Sequence, residues 1–558
     1  MENTLVLNRG NIDTSMYDYA LNYGRRKNNL AALSYFGRDI CFDTLISESE
    51  RVANYLLDCG VRRGGSVTVC LPNTPEAVYA VYGVNRAGAV LNVVHPLINP
   101  SRLEQAIGET RSDILFVTKE YLSKNGVSDK LSSLKKIIVC SVGDSMPKKA
   151  RLLYKLKAFS SLQKFGKIKA DNQNIVDFYD AEAEKTYPLV KASGADAAAY
   201  MHSGGTTGVP KTVVLTNKNL NALVYNLLTA IEEGEKGYVY SDSDVMYGVL
   251  PFFHGYGLGV CLHSSICARI KIALAPRFDE KDFIKTLSRE HITVMAALPN
   301  MYKRLLDRED FSGGKLKYLK NAYVGSEKMP EELKERFDVR IKEAGGTCVL
   351  EEGYGLSEAV NVCLLNRNEK YAKGSVGYPL TNTEVCVVNA QNKTLETGVT
   401  GELCVSSDTV MKGYLNDEET TKKALFSDEN GKIWLKTGDL AHINEDGFVF
   451  YDGRIKRLIV ISGINVFPVE LEACARQLEI VSDACAVQAL KNGKTVIVLN
   501  VILSGGAALN DKIKDEISAH LKKHLSKWYL PTVIIGRGEF PITPLGKTDY
   551  KALEGKID

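Results

Sequence analysis

The chain lacks the marks that would place it in several large classes. Its 12 cysteines are scattered from Cys41 to Cys485, and no Cys-x-x-Cys pair occurs. No cysteine and histidine cluster has zinc-ligand spacing, so no structural zinc site is expected. Dispersed cysteines of this kind read as reduced, mostly buried thiols of a cytosolic protein. The start, Met1-Glu2-Asn3-Thr4, lacks the basic residues and apolar run of a secretory signal, which favours a cytoplasmic location. Net charge is nearly absent, at +3. That gives no case for nucleic acid, whose binders carry a strongly basic domain or patch. Neither an internal repeat nor a low-complexity tract is evident. One long stretch, 247–268, has no Asp, Glu, Lys or Arg. It holds Pro251, four glycines, His254 and His263, which argues against a lipid-exposed helix. The expectation is a buried sheet core next to an active site.

What is present begins with length. At 558 residues the chain exceeds the roughly 250–300 at which a single core stops growing, so at least two domains are expected. The first part alternates strand and helix patterns: helix 44–59, strand 66–71, helix 76–86 behind Pro75, strand 89–94, helix 102–110, strands 113–118 and 136–141. This rhythm argues for βαβ units and largely parallel sheets. Thr216 is placed to cap a helix. Further on, helix 279–290 precedes strands 292–298, 320–325 and 348–350. Stretches 384–389 and 401–406 alternate like strands of a smaller β subdomain, and 438–453 is turn-rich. Beyond it lies a compact α/β pattern, so a domain boundary is expected near 452–456.

The most informative stretch is Ser203-Gly204-Gly205-Thr206-Thr207-Gly208-Val209-Pro210-Lys211. Glycines let the backbone approach a ligand closely, and a run of exposed N–H groups forms an anion-binding concavity. Hydroxyls and the Lys211 cation complete a phosphate cradle. It is not a Walker loop, which needs Gly directly before Lys and a helix directly after. Here Pro210 precedes Lys211, and Thr212-Val213-Val214-Leu215 favours a strand. The loop is expected to join strands 197–202 and 212–215.

Five other stretches carry more chemistry than packing needs. Leu250-Pro251-Phe252-Phe253-His254-Gly255-Tyr256-Gly257 sets an imidazole among aromatics. Glu352-Gly353-Tyr354-Gly355-Leu356-Ser357-Glu358 offers a ring, a hydroxyl and a carboxylate in a glycine-bent segment. Lys436-Thr437-Gly438-Asp439-Leu440 presents a turn-held aspartate. Asp452-Gly453-Arg454-Ile455-Lys456 puts two cations beside the boundary. Pro544-Leu545-Gly546-Lys547 presents a lysine on a glycine turn.

In this order and spacing, the six stretches resemble the adenylate-forming (AMP-binding) superfamily, which includes acyl-CoA synthetases, adenylation domains of peptide synthetases and luciferases. The resemblance runs from about residue 40 to 553. It departs at Gly204, where Ser is common, at Thr212, where Gly usually follows the lysine, and at Ser357, which replaces Thr and keeps the hydroxyl. The Gly-Gly variant is similar to that of some long-chain fatty acyl-CoA synthetases. The implied fold is α/β: a large N-terminal domain of αβαβα layers with a small β subdomain (1–453), a hinge (454–457) and a small mobile α/β domain (458–558).

The resemblance implies two half-reactions with ATP, Mg²⁺ and CoA. A carboxylate attacks the α-phosphorus of ATP, and a thiol then takes the acyl group and releases AMP. Ser203, Gly204, Gly205, Thr206, Thr207, Gly208 and Lys211 would hold the β- and γ-phosphates. Ser357 would bond a phosphate oxygen, and Glu358 would hold the metal. Tyr354 would stack on adenine, with the backbone of Glu351, Glu352 and Gly353 at the base edge. Gly325 and Gly355 belong to the same nucleotide-binding segments. Asp439 would accept the ribose hydroxyls beside Arg454. Lys547 would bridge the carboxylate and the α-phosphate, and Lys456 falls at the hinge. His254 resembles a gate between the nucleotide and acyl sites, with Phe253, Tyr256 and Gly257 toward the acyl and CoA side and Gly463 on the small domain. The apolar residues Phe252, Phe253, Tyr256, Leu258, Val324 and Val360 favour a medium- or long-chain fatty acid. An aryl acid, or a carrier-protein phosphopantetheine as acceptor, are the alternatives.

One segment stands outside this scheme. Residues 148–169 hold eight basic residues and no acidic one, with Leu152, Leu153, Leu156 and Phe159 near one helical face. The expectation is a solvated helix whose apolar face packs on its own domain. The other reading is peripheral contact with an anionic membrane surface.

Overall fold

The computed structural model describes residues 10–25, 30–203, 211–233, 240–367, 370–461, 464–491, 494–542 and 548–556. The candidate residues Gly204, Gly205, Thr206, Thr207, Gly208, Gly463 and Lys547 lie outside these, and of Ser203 only the backbone is described. The chain divides into two units. One comprises Met1–Ser203, Pro210–Glu384 and Val405–Leu435. The other comprises Gly204–Val209, Val385–Cys404 and Lys436–Asp558.

The first unit is built on two large sheets. Six strands of one run parallel in the order Ile175–Asp177, Lys136–Cys140, Ile114–Thr118, Ser66–Cys70, Val90–Val93 and Ala197–Ser203. Lys211–Thr216 then returns antiparallel to Ala197–Ser203, with Ser203 opposite Lys211. The strand–loop–strand setting of the glycine loop is therefore as its β-branched sequence implied. In the other sheet Ala31–Tyr35, Lys271–Leu274, Val245–Gly248, Val294–Ala297, Asn321–Val324 and Leu350–Tyr354 are successive parallel neighbours.

Helices cover these sheets. Pro75–Arg86 starts at the Thr74 cap with Pro75 in its first turn, and all its residues are buried. A helix buried on every side is one held between layers. Asn217–Glu232 opens with a capping box of Thr216 and Asn219, so both first-turn donors are satisfied. The two helices meet a third at His263, which bonds Tyr82 Oη (3.3 Å) and Asn221 Oδ1 (3.0 Å). Burial holds the His263 imidazole down to about 3, so it is a neutral packing residue.

Two expectations change here. The uncharged stretch 247–268 is buried, but only its start is strand. Tyr256–Ser264 forms a π-helix. Its glycines and small residues tolerate the wider turn, and π-turns occur often at functional sites. Strand 348–350 instead runs Leu350–Tyr354, so the Glu-Gly-Tyr stretch is extended and the bend comes only after Tyr354. No helix among the described residues is long and apolar enough to cross a membrane.

The second unit holds a hairpin in which Asp439–Ile443 pairs with Val449–Arg454. The stretch expected to be turn-rich is therefore mostly strand, with its turn at 444–448. A four-stranded sheet follows in the order Val533–Gly536, Lys494–Leu503, Val481–Lys491 and Gly555–Lys556. Leu471, Leu499, Ile517 and Leu521 form its core with helices Pro468–Ala475 and Asp511–His524.

Candidate active site

Strands Val245–Gly248, Asn321–Val324 and Leu350–Tyr354 run parallel in the nine-stranded sheet and end at the same edge. In open α/β sheets ligands bind outside the carboxyl ends of the strands. Three motif segments leave from that edge. Their backbones lie so close that two glycines are obligatory. A Cβ on Gly355 would sit 1.5 Å from the Asn361 carbonyl oxygen, and one on Gly257 2.0 Å from that of Pro251. Ser326, Val360 and Asn361 adopt φ of 72°, 51° and 82°. For the β-branched Val360 this is a true outlier, and such strain clusters at functional sites.

Between these segments lies a small, partly open cavity. It is bordered by Leu227, Tyr256, Val260, Tyr323, Gly325, Ser326, Gly353, Gly355, Asn361, Val362 and Leu365. Among the described residues no charged side chain borders it. Tyr323 Oη is engaged with Tyr240 Oη at 3.0 Å. Of the residues assigned to the acyl side, Tyr256 borders the cavity. Phe253 packs on the His95 ring at 4.6 Å between centroids. Phe252, Leu258, Val324 and Val360 are buried in packing and do not border it. Sequence reasoning did not single out Asn361, Val362 and Leu365, because the left-handed turn at 360–361 that brings them round is not signalled by a valine.

His254 heads the π-helix, its carbonyl accepting from Leu258 N–H at 2.9 Å. Its Nδ1 accepts from the Tyr256 N–H at 3.3 Å. In the neutral ring this places the proton on Nε2.

At the neck of the glycine loop, His202 and Thr212 face each other across the strand pair. His202 Nε2 lies 2.7 Å from Asn92 Oδ1, and Thr212 Oγ1 lies 3.0 Å from Nδ1. Asn92 Nδ2 donates onward to Thr68 and Thr110. Asn92 Oδ1 can only accept, so His202 carries its proton on Nε2 and the Thr212 hydroxyl donates. Burial lowers His202 to about 4, which keeps the ring neutral. The threonine that follows Lys211 thus ties the loop's two strands together.

Lys211 and Glu358 are joined by a residue the sequence reading missed. Gly413–Tyr414 pairs with Val213 and Val214 as an edge strand. Lys211 Nζ lies 4.6 Å from the Tyr414 ring centre, and Tyr414 Oη donates to Glu358 Oε1 at 3.0 Å. Met411 N–H bonds the Glu358 carbonyl at 2.8 Å. Ser357 and Glu358 share a 3₁₀ turn, both half-buried.

On Leu350–Tyr354, Glu352 Oε1 accepts from Met329 N–H at 3.1 Å, and burial pushes its carboxyl up to about 7. Glu351 and Tyr354 are half-buried on the same strand.

In the second unit, Asp439 and Arg454 are direct cross-strand partners. Arg454 Nε lies 2.9 Å from Oδ1 of Asp439, which is 2% exposed. Thr437 and Glu402 brace this stretch: Thr437 Oγ1 accepts from Asp439 N–H at 3.1 Å, and Glu402 pairs with Lys436 at 3.3 Å. The aspartate expected on a turn is held by a strand. Lys456 is exposed in the short 3₁₀ segment Ile455–Arg457.

The profile of the family described as AMP-binding enzyme matches residues 22–415. The chain belongs to the AMP-binding enzyme family. It is an adenylate-forming ligase, as the order of its motifs implied. Among curated proteins it is 29% identical over 525 residues to a long-chain-fatty-acid–CoA ligase of Bacillus subtilis (strain 168), covering 92% of this chain and 90% of the relative. It is 27% identical over 520 residues to 4-coumarate–CoA ligase 1 of Petroselinum crispum, covering 91% and 87%. The solved anthranilate CoA ligase AuaEII in complex with anthranoyl-AMP aligns with a TM-score of 0.80 at 22% identity, over 98% of this chain and 97% of that one. That likeness concerns the fold. Within the AMP-binding enzyme fold, the structure brings Glu358 and Lys211 to one cluster and Tyr256, Gly325, Gly353 and Gly355 to one cavity.

Proposed function

We propose that this ligase activates a medium- or long-chain fatty acid to its acyl-adenylate and passes the acyl group to CoA. The cavity carries the reading. It lies at the carboxyl ends of the strands that bear the motifs, and among the described residues its border has no charge to pair with a second polar group on the acid. In particular the described border offers no carboxylate for the α-ammonium of an amino acid. The B. subtilis relative, a long-chain-fatty-acid–CoA ligase, supports the choice.

The first step is an electrostatic problem, because one anion must approach another. Fixed charges and positioning supply most of such catalysis. Ser203, Gly204, Gly205, Thr206, Thr207, Gly208 and Lys211 hold the departing phosphates. Tyr354 stacks on adenine, with the backbone of Glu351, Glu352 and Gly353 at the base edge, and Asp439 with Arg454 takes the ribose. Lys547 neutralises charge between the carboxylate and the α-phosphate. His254, with its proton on Nε2, offers a donor between the two substrates.

The donor set fits Mg²⁺. Among the described residues no cluster of three or more His, Cys, Asp or Glu could hold a metal alone. Mg²⁺ typically takes one or two carboxylates plus substrate phosphates, and Glu358 offers the one. When bound, the ion would screen phosphate charge.

A second reading, an aryl acid, is favoured by the rings of Tyr256 and Tyr323 at the cavity border and by the 4-coumarate–CoA ligases among the relatives. A panel of fatty, aryl and short-chain acids with CoA or a phosphopantetheinylated carrier protein, read as AMP release and thioester mass, separates these. Fatty acyl-CoA should dominate. Preferred turnover of an aryl acid, or transfer only to the carrier, would overturn the choice.

A further inference from the structure

Segment 148–169 is the motif that the reaction does not absorb. It folds as two consecutive helices, Lys148–Lys157 and Phe159–Asp171, in the connection to strand Ile175–Asp177. The second packs on its own domain, as expected. Phe165 is buried in the core with Ile168 against it, and Lys169 pairs with Asp177. The first does not. Helix Lys148–Lys157 has no buried residue. It is fixed by one face only: Tyr154 Oη donates to Glu120 at 2.7 Å, and Arg151 Nη1 bonds the Asp144 carbonyl at 3.3 Å. At about 100° per residue, Leu152, Leu153 and Leu156 fall on the opposite face. They are 62%, 62% and 66% exposed, and the stripe continues to Phe159 at 65%.

We propose that this face docks on an anionic lipid bilayer. Lys148, Lys149, Lys155 and Lys157 are exposed around the leucines. Among the described residues none of them enters an ion pair. A helix with leucines on one face and lysines beside them lies in the headgroup region, where lysine stems follow the apolar surface while the ammonium stays wet. Charge selects the occupant. With four unpaired lysines and no acid on helix Lys148–Lys157, two copies of this face would repel each other, whereas an anionic leaflet complements it. Ten residues are too few to span a bilayer, so the contact is peripheral. The proposal does not depend on which acid the enzyme activates.

The test is co-sedimentation of the full chain with vesicles of pure phosphatidylcholine, or of phosphatidylcholine mixed with phosphatidylserine, at low and high salt. Binding is expected to the mixed vesicles only, and to weaken with salt. L152S/L156S should lower partitioning on the order of a hundred-fold, since each inserted leucine contributes at least about a factor of ten. K149Q and K155Q should each lower it about five-fold. All three variants should keep the wild-type melting temperature and AMP release from soluble substrate, because the altered side chains are exposed. Failure of the wild type to bind mixed vesicles at low salt would overturn the proposal. So would binding that survives L152S/L156S, or a dimer of the wild type that the same pair dissolves without any vesicle binding, which would assign the face to a second copy.

Discussion

Replacing Glu352 by Gln should stabilise the protein above neutral pH and leave it unchanged in acid. Glu352 is half-buried on strand Leu350–Tyr354, and its Oε1 accepts the Met329 N–H. Glutamine can keep that bond through its carbonyl oxygen. Burial raises the carboxyl from 4.5 to about 7, while the Met329 bond and Lys328 pull the other way. The folded state therefore holds this proton more tightly than the unfolded chain. Below about 4.5 both states are protonated and the group contributes nothing. From there to about 7 the unfolded chain ionises first, so stability falls as pH rises, and above 7 the full penalty remains. At 1.36 kcal/mol per pH unit the gap is at most ~3.4 kcal/mol. Partial solvent access reduces this to roughly 2 kcal/mol. Thermal melts of wild type and E352Q at pH 4, 6.5 and 8 provide the assay. The variant's advantage should be near zero at the acid end and grow to about 2–4 °C above pH 7. A constant difference across pH, or a wild type that gains on the variant as pH rises, would refute the reasoning.

Lys547→Ala should lower adenylate formation by about 10²–10³-fold, the usual cost of one preorganised donor, yet spare thioester formation from supplied acyl-adenylate. Equal loss in both steps, measured separately, would remove its assigned role. Lys456→Pro should slow the thioester step more than pyrophosphate exchange, and intact rates in both would mean that residue 456 is no hinge. Tyr414→Phe keeps the ring beside Lys211 but removes the donor to Glu358. A hydrogen bond to a charged group contributes about 1.5–3 kcal/mol, so the Mg²⁺ concentration for half-maximal activity should shift several-fold while the KM for the acid stays put. An unchanged Mg²⁺ titration would show that Tyr414 does not position Glu358.

Much of this fold was legible because period and caps agree locally. Pro75 behind Thr74, Thr216 before the Asn217–Glu232 helix and the β-branched run after Lys211 each announce their element. The stretch 247–268 was read as buried but not as a π-helix, since lack of charge reports burial and not backbone period. Tyr354 and Asp439 were placed on bends because glycine neighbours suggest turns, whereas both lie on strands. Tyr414 was invisible for another reason. Its role depends on pairing with Val213, some two hundred positions away, and no local pattern encodes that register. The face of helix Lys148–Lys157 was misjudged because an apolar stripe looks the same whether it meets a core or solvent.

In the proposed reaction an acyl-adenylate forms before any thiol is needed. Exchange of labelled pyrophosphate into ATP, measured with Mg²⁺ and a fatty acid but without CoA, tests it most directly. Exchange is expected to require both the acid and the metal, and addition of CoA is expected to yield AMP, never ADP. Absence of exchange with every acid, together with ADP as product, would contradict it.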